Sequence, residues 1–190
     1  VFSFHPVKII TTAEGGAAMT NCDDLNRKMM IYRSHGIVRN FSNDKRLSWM
    51  YEQVDIGYNY RMPDINAALG LSQLNRLNGY VSKRAEIANW YDQNFTDDNV
   101  EPLFKNIDTT QSSHHLYVLR IMDGESKRNE LFAYLRSSGI GVNVHYMPIY
   151  KHPFFKKLGV RLENAENYFS SAISLPIFPN INRSDSYKIV

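Results

Sequence analysis

The sequence predicts an α/β fold in which one long helix carries a small unit of alternating strands and helices. Three observations predict it. Leu74, Leu77, Val81, Ala85, Ala88, Tyr91 and Phe95 recur at spacings of three and four, which marks one face of a helix. Beyond residue 100 short apolar runs alternate with amphipathic stretches, the pattern of strands and helices in turn. Hydrophobic residues make up 43% of the 190 and charged residues 22%, which is ordinary for a globular chain.

Taken in order, residues 1–21 read as a strand, a Gly15-Gly16 turn and a second strand reaching Met19. Asn21, Asp23 or Asp24 caps a helix running to about Ser34, which Gly36 ends. Residues 39–56 are polar and irregular, with Asn43-Asp44 marking a loop. The long helix opens at Asp64, whose charge suits the positive end of the helix dipole. Unbroken to Phe95 it would be about 48 Å long at roughly 1.5 Å per residue, with Gly79 as its weak point. A helix of that length joins domains. The expected organisation is therefore 1–78, a connecting helix over 79–99, and a small α/β domain over 100–190. In the last part, 116–122 reads as a strand and 128–138 as a helix with Gly139 as its C-cap. Residues 142–147 form a second strand stopped by Pro148. Residues 164–173 are helical, Leu175-Pro176 ends them, and a final helix starts at Arg183.

Composition excludes several classes. Ten Gly and seven Pro among 190 residues rule out collagen-like and low-complexity chains. The single cysteine, Cys22, can form neither an internal disulfide nor a CxxC clip, so a reducing cytoplasm is the default. No apolar run reaches the roughly 18 residues of a membrane span, and no signal peptide opens the chain. A net charge of +3, dispersed over the length, is too small to argue for nucleic acid and tolerates a small anionic ligand. The chain opens inside a strand, Val1-Phe2-Ser3-Phe4, without an initiator Met, and so reads as the later part of a longer protein.

A few residues stand out chemically. Lys8 lies among Val7, Ile9 and Ile10, which imply a buried strand or strand end that an ammonium avoids without a reason. A desolvated lysine has a lowered pKa and becomes a nucleophile able to form a Schiff base; a solvated lysine is the competing reading. In the strand at 142–147, Asn143, His145 and Met147 share one face, and two adjacent polar groups suggest a cleft. An ordinary hydrogen-bonded histidine fits His145 as well. His114 and His115 point to opposite sides of an extended chain and have no third ligand, so no metal site is expected. His35, near a helix end, complements the dipole. Gly57-Tyr58-Asn59-Tyr60-Arg61, ahead of the long helix, is either a phosphate-holding loop or a turn before Pro63.

The order and spacing of these segments resemble the C-terminal half of the DegT/StrS-type sugar aminotransferases. The resemblance runs nearly end to end. It includes Ser3-Phe4-His5-Pro6-Val7-Lys8, Thr12-Ala13-Glu14-Gly15-Gly16, Arg33-Ser34-His35-Gly36 and Gly57-Tyr58-Asn59-Tyr60-Arg61-Met62-Pro63-Asp64. Ala67-Ala68-Leu69-Gly70, Gln73-Leu74, Gly141-Val142-Asn143-Val144-His145-Tyr146 and Leu175-Pro176 continue it. His5-Pro6-Val7-Lys8, Tyr51-Glu52-Gln53, Val142-Asn143-Val144-His145-Tyr146 and Ser112-Ser113-His114-His115-Leu116-Tyr117 resemble the branch that aminates UDP-4-keto-6-deoxy-N-acetyl-altrosamine-type sugars for pseudaminic acid, with His114 where a tryptophan is expected.

The resemblance implies a fold type I enzyme that uses pyridoxal 5'-phosphate. Residues 1–78 would be the end of its cofactor-binding large domain. Lys8 would be the Schiff-base lysine and proton shuttle; the family's dehydratase branch carries histidine there. Ser3 would bind the cofactor phosphate, and Asn59 would reach the same phosphate from the other subunit of a homodimer. Arg61, His145 and Tyr146 would lie near a UDP-sugar substrate, with L-glutamate as amino donor. The pyridinium carboxylate, the ring-stacking aromatic and the main phosphate cup lie upstream of the lysine in this family, so the fragment alone is expected to be inactive. Two other readings stay open: an aminotransferase for another nucleotide-linked keto sugar, and a non-catalytic sugar-nucleotide or partner-binding module.

Overall fold

Among the described residues, short apolar runs give three small antiparallel sheets. The computed structural model describes residues 1–39, 45–104 and 112–190, and the Asn43-Asp44 loop expected above lies outside them. The chain divides into two compact units, Val1–Arg76 and Leu77–Val190.

In the first unit β1 (Phe2–Ser3) pairs with β2 (Gly16–Ala17), Phe2 opposite Ala17 and Ser3 opposite Gly16. Helix α1 (Asp23–Arg33) follows, with Asp23 and Asp24 in its first turn and Arg33 in its last, as the dipole favours. Next comes a strand pair that the sequence conceals, β3 (Ile37–Arg39) against β4 (Tyr51–Gln53). All three residues of β4 are exposed, so no buried face exists to write an alternating pattern. Helix α2 (Asp64–Leu74) closes the unit.

The helix expected over 64–95 is broken. A turn at Asn75 and Arg76 separates α2 from α3 (Leu77–Asn94), while Gly79 lies inside α3. Arg76 N–H donates to the Gln73 carbonyl at 3.0 Å, a tightened three-residue bond, and its guanidinium donates back to Ser72 Oγ at 2.9 Å. Asn75 supplies a residue that favours caps and turns over helix interiors. The buried face is also shifted from the expected one. Arg84, Ile87, Ala88 and Tyr91 are buried on α3, whereas Leu74 is exposed.

The second unit holds the core. Strands β5 (Val100–Pro102), β6 (Tyr117–Ile121) and β7 (Ala172–Leu175) form an antiparallel sheet in that order, with Tyr117 opposite Leu175 and Leu119 opposite Ile173. Tyr117, Leu119, Ile121, Ile173 and Leu175 share one face and pack with Ile87, Ala88 and Tyr91 of α3 and Leu135 of α4 (Glu125–Ser137). Tyr91 is fully buried, and its hydroxyl donates to the Pro176 carbonyl at 2.8 Å. Gly139, at φ +79°, ends α4 as the sequence predicts, with Ile140 N–H returning to the Leu135 carbonyl at 2.9 Å.

Two expectations fail here. Residues 142–147 make no strand; Asn143 alone bridges to Ser174. The helix expected over 164–173 is α5 (Glu163–Ser171), and Ala172–Leu175 is β7, so Leu175-Pro176 ends a strand. All four residues of β7 are buried, and a short run buried on both faces carries no period that tells strand from helix. Helix α6 (Arg183–Ile189) ends the chain, its first turn capped by the Asn182 side chain, which accepts from Asp185 N–H at 2.8 Å.

Candidate active site

Lys8 lies not on a strand but on the loop that joins β1 to β2. Phe4 ties the base of that loop. Its N–H donates to the Gly15 carbonyl at 2.9 Å, and its own carbonyl accepts from Thr12 N–H at 3.0 Å and Thr11 Oγ1 at 2.9 Å. Within the loop, Lys8 N–H donates to the His5 carbonyl at 2.9 Å and His5 N–H donates to Ser3 Oγ at 3.4 Å. Ser3 and Lys8 are thus joined through His5. The burial inferred for the neighbours of Lys8 holds only in part. Val7 is 62% exposed, while Lys8, Ile9 and Ile10 are half-buried. The end of the loop is held from α2, where Asn66 Nδ2 donates to the Thr12 carbonyl at 2.7 Å and the Glu14 carbonyl at 3.2 Å.

Asn59 and Arg61 occupy a second loop of the same unit, and both are exposed. That loop is stitched along the end of α1. Tyr58 N–H donates to the Tyr32 carbonyl at 2.7 Å, His35 N–H to the Tyr58 carbonyl at 2.8 Å, and Tyr60 N–H to the Arg33 carbonyl at 2.9 Å. Asn59 bridges to Ser34. Behind the bridge Gly36 and Gly57 cross backbone to backbone. A Cβ on Gly57 would run into the Gly36 amide, and one on Gly36, at φ +70°, into the Asp55 carbonyl. The Arg33-Ser34-His35-Gly36 and Gly57-Tyr58-Asn59-Tyr60-Arg61 motifs are therefore one structure. His35, at φ +64° and exposed, follows the C-cap Ser34 of α1 as expected and also joins this crossing through its N–H. Two further contacts support the loop. The Tyr32 hydroxyl donates to Asp55 Oδ2 at 2.5 Å, and the Tyr58 and Tyr60 rings stack at 4.7 Å. Accepting that bond holds the Asp55 carboxyl below its ordinary pKa, and the carboxylate raises the Tyr32 phenol above its own.

His145 and Tyr146 belong to the second unit. The expected strand is absent, yet the expected neighbours remain: Asn143 Nδ2 lies 3.4 Å from His145 Nε2. His145 Nδ1 lies 2.8 Å from Ser174 Oγ, and the Tyr168 hydroxyl donates to the His145 carbonyl at 2.8 Å. Burial holds the imidazole below its ordinary pKa, which favours the neutral ring. Tyr146 is exposed, its ring edge-on to His145 at 4.6 Å. Nearby, Tyr150 donates to Glu166 Oε1 at 3.0 Å, and Lys151 pairs with the same carboxylate, whose pKa is lowered chiefly by that lysine.

The first unit offers an amine, a hydroxyl and an amide on two braced loops; the second, described by itself, offers an imidazole held toward its neutral form beside an exposed tyrosine. Among the described residues, no three His, Cys, Asp or Glu side chains gather to hold a metal ion, and no helix is long and apolar enough to cross a membrane. Sequence reasoning misses Tyr32, Asp55, Tyr168 and Ser174, because each acts through a contact more than 20 residues distant along the chain.

Comparison with known proteins bears on this geometry. Residues 1–190 match the model of the DegT/DnrJ/EryC1/StrS aminotransferase family. The chain is 43% identical over 189 residues to a UDP-4-amino-4,6-dideoxy-N-acetyl-beta-L-altrosamine transaminase of Campylobacter jejuni, covering 98% of this chain and 49% of that protein. A transaminase of the same name from Helicobacter pylori is 39% identical over 189 residues, covering 96% and 48%. Among solved structures, Helicobacter pylori PseC, an aminotransferase involved in pseudaminic acid biosynthesis, superimposes with a TM-score of 0.90 at 36% identity over 99% of this chain and 50% of that one. The PLP form of a putative sugar aminotransferase, Spr1654 from Streptococcus pneumoniae, gives 0.86 at 33% identity, covering 99% and 48%. The chain spans about half the length of the curated relatives it matches.

Proposed function

We propose a function from one premise, that this chain belongs to the DegT/DnrJ/EryC1/StrS aminotransferase family, and so has the fold type I architecture in the half it spans. The whole protein transfers an amino group from L-glutamate to the C4 ketone of a UDP-linked 4-keto-6-deoxy-N-acetylhexosamine. The ketone becomes an amine and glutamate leaves as 2-oxoglutarate. The observation that supports this most is the place of Lys8 in the braced loop after β1, inside a likeness to sugar aminotransferases that covers the chain.

The residues present fit pyridoxal 5'-phosphate: Lys8, a half-buried residue, offers its amine, Ser3 a hydroxyl held through His5, and Asn59 an amide on a braced, exposed loop. Bound there, the cofactor supplies the electron sink for amino transfer. Lys8 holds it and moves the proton at the sugar C4. Ser3 and Asn59 donate to the phosphate, Asn59 from the second subunit of a homodimer. Arg61, His145 and Tyr146 face the UDP-sugar, Arg61 with the charge a diphosphate needs. The first unit buries no hydrophobic residue among those described, and exposes Leu25, Met30, Ile65 and Leu71. Such a layer needs cover from the rest of a larger domain. The groups that pair the pyridinium and stack on the ring belong to that remainder, so residues 1–190 alone turn over no substrate. The compartment is the cytoplasm, where nucleotide sugars are made.

The test uses the full-length protein with pyridoxal phosphate, L-glutamate and the UDP-4-keto sugar. The expected products are the 4-amino sugar and 2-oxoglutarate in equal amounts. Borohydride reduction and peptide mapping are expected to place a pyridoxyl group on Lys8; a label on another lysine overturns the assignment. Amination of other keto sugars alone would overturn the substrate while leaving the chemistry.

A further inference from the structure

One side-chain chain in the second unit has a direction that can be worked out atom by atom. Asn143 and Ser174 exchange both backbone hydrogen bonds: Ser174 N–H donates to the Asn143 carbonyl at 2.7 Å, and Asn143 N–H to the Ser174 carbonyl at 3.2 Å. Val144 N–H donates to Asn143 Oδ1 at 2.8 Å, which fixes the side-chain amide and turns Nδ2 toward His145. Nδ2 carries only hydrogens to offer, so the His145 Nε2 it faces at 3.4 Å must be the acceptor. The ring proton then sits on Nδ1 and is donated to Ser174 Oγ at 2.8 Å. Ser174 is only 4% exposed and lies on β7 opposite the face that sends Ile173 and Leu175 into the core, so its hydroxyl is rigidly placed.

We infer that Asn143 and Ser174 are positioning residues that together hold His145 as the neutral Nδ1–H tautomer, Asn143 by donating to Nε2 and Ser174 by accepting from Nδ1, so that Nε2 can accept from a hydroxyl or amide N–H of the bound sugar. This rests on the reading above that His145 faces the substrate. It sharpens that reading, because a lone-pair acceptor recognises a neutral donor on the hexosamine and is the wrong partner for the diphosphate. The long Asn143 contact leaves room for a better donor at Nε2. The groups around the ring agree. Asn143 and Ser174 carry no charge, Tyr168 binds the backbone carbonyl, Tyr146 presents its ring, and burial lowers the imidazole pKa.

The test uses the full-length protein labelled with ¹⁵N-histidine. Long-range ¹⁵N–¹H correlation on the unliganded protein is expected to show His145 as the Nδ1–H tautomer at pH 7.5. Ser174→Ala should shift it toward Nε2–H and raise KM for the sugar nucleotide roughly five- to ten-fold, the worth of about one hydrogen bond, with kcat changed far less. Ser174→Thr, which keeps the hydroxyl, should restore both. Asn143→Asp places an acceptor against Nε2 and should give the same tautomer shift and KM loss with β7 unaltered, so the test survives a misfolded Ser174→Ala. A wild-type Nε2–H tautomer overturns the proposal, and so does an unchanged KM in both shifted variants. Absence of amino transfer in the wild type would instead overturn the function, a separate outcome.

Discussion

The two units of this chain are held together by different means. Leu77–Val190 has a core in which α3 and α4 cover one face of a three-stranded sheet. In Val1–Arg76 the residues buried among those described are Thr12 and Gly36, neither of which is a large apolar side chain. Its order comes from backbone hydrogen bonds at Phe4, Tyr58 and Tyr60, and from a glycine crossing. The unit with the candidate cofactor residues, Ser3, Lys8 and Asn59, is thus the one whose described residues form no apolar core. Net backbone hydrogen bonds are worth about 1 kcal/mol each, and burial of one aromatic is worth several. The second unit therefore carries the stability, and the first carries placement.

The largest expected effect breaks that difference from the cored side. Tyr91→Ala removes a fully buried ring that touches Trp90, Phe95 and Tyr117, and also the bond to Pro176. It should cost about 3–5 kcal/mol in urea denaturation followed by tryptophan fluorescence. Leu25→Ala, on exposed α1, should stay within about 0.5 kcal/mol. Equal effects would mean the first unit has a core of its own.

Next comes the crossing. Gly57→Ala forces a Cβ against the Gly36 backbone, which cannot rotate away as a side chain would. Overpacking of this kind costs about 1–3 kcal/mol. The effect should stay local: the amides of Tyr58 and Tyr60 should exchange with solvent about ten- to hundred-fold faster, since each 1.4 kcal/mol is a factor of ten. The amides of β6 should not change. In the full-length protein the same variant should release pyridoxal phosphate faster, read by the fluorescence of the released cofactor.

How much of this was legible in the sequence follows the same division. Where burial falls on one face, as in α4, sequence and structure agree on the element and differ by a few residues at its ends. Where burial is two-sided the period is lost, and β7 reads as a helix end. Where it is absent, as in β4, nothing marks a strand. The His145 site shows a mixed case. Asn143 and His145 were placed together by a strand that does not form, and they remain together because one bridge to Ser174 does the same work. Ser174 itself was invisible, since a serine in an apolar run announces only a small buried polar group. Lys8 stood out because its neighbours are apolar, although Val7 turns outward. The family motifs around it, rather than their hydrophobicity, carried the site.

A smaller effect separates the units by pH. Burial lowers the pKa of His145, and burial foremost lowers that of His114, with the Arg84 charge adding to it and Asp92 opposing it. The unfolded chain titrates both near the ordinary value of about 6.5. Between the folded values and that value the unfolded state binds more protons, so stability rises with pH across the window. It should be retained above about pH 6.5 and fall as the pH drops below it. Both histidines lie in Leu77–Val190, so His114→Gln with His145→Gln should flatten the slope there. An unaltered slope would place the titrating groups elsewhere.

The smallest effects come from one chemical pair found in both units. In each, a tyrosine hydroxyl donates to an aspartate: Tyr117 to Asp92 Oδ1 at 2.6 Å, and Tyr32 to Asp55 Oδ2 at 2.5 Å. Geometry does not tell them apart; surroundings do. Tyr117 is 6% exposed, at the centre of the aromatic cluster with Tyr91 and Phe95, and burial, followed by the Asp92 contact, pushes its phenol well above the ordinary range. Tyr32 is 39% exposed, and water can replace its partner. Tyr117→Phe should therefore lower global stability by about 1 kcal/mol, because the carboxylate loses a donor in a half-dry site. Tyr32→Phe should leave the urea midpoint where it was, since exposed pairs contribute little. Its effect belongs to the loop: Asp55 is freed from α1, and the amides of Ile56 and Tyr58 should exchange faster. If Tyr32→Phe moved the global midpoint as far as Tyr117→Phe, the first unit would not be the loosely anchored layer its burial describes.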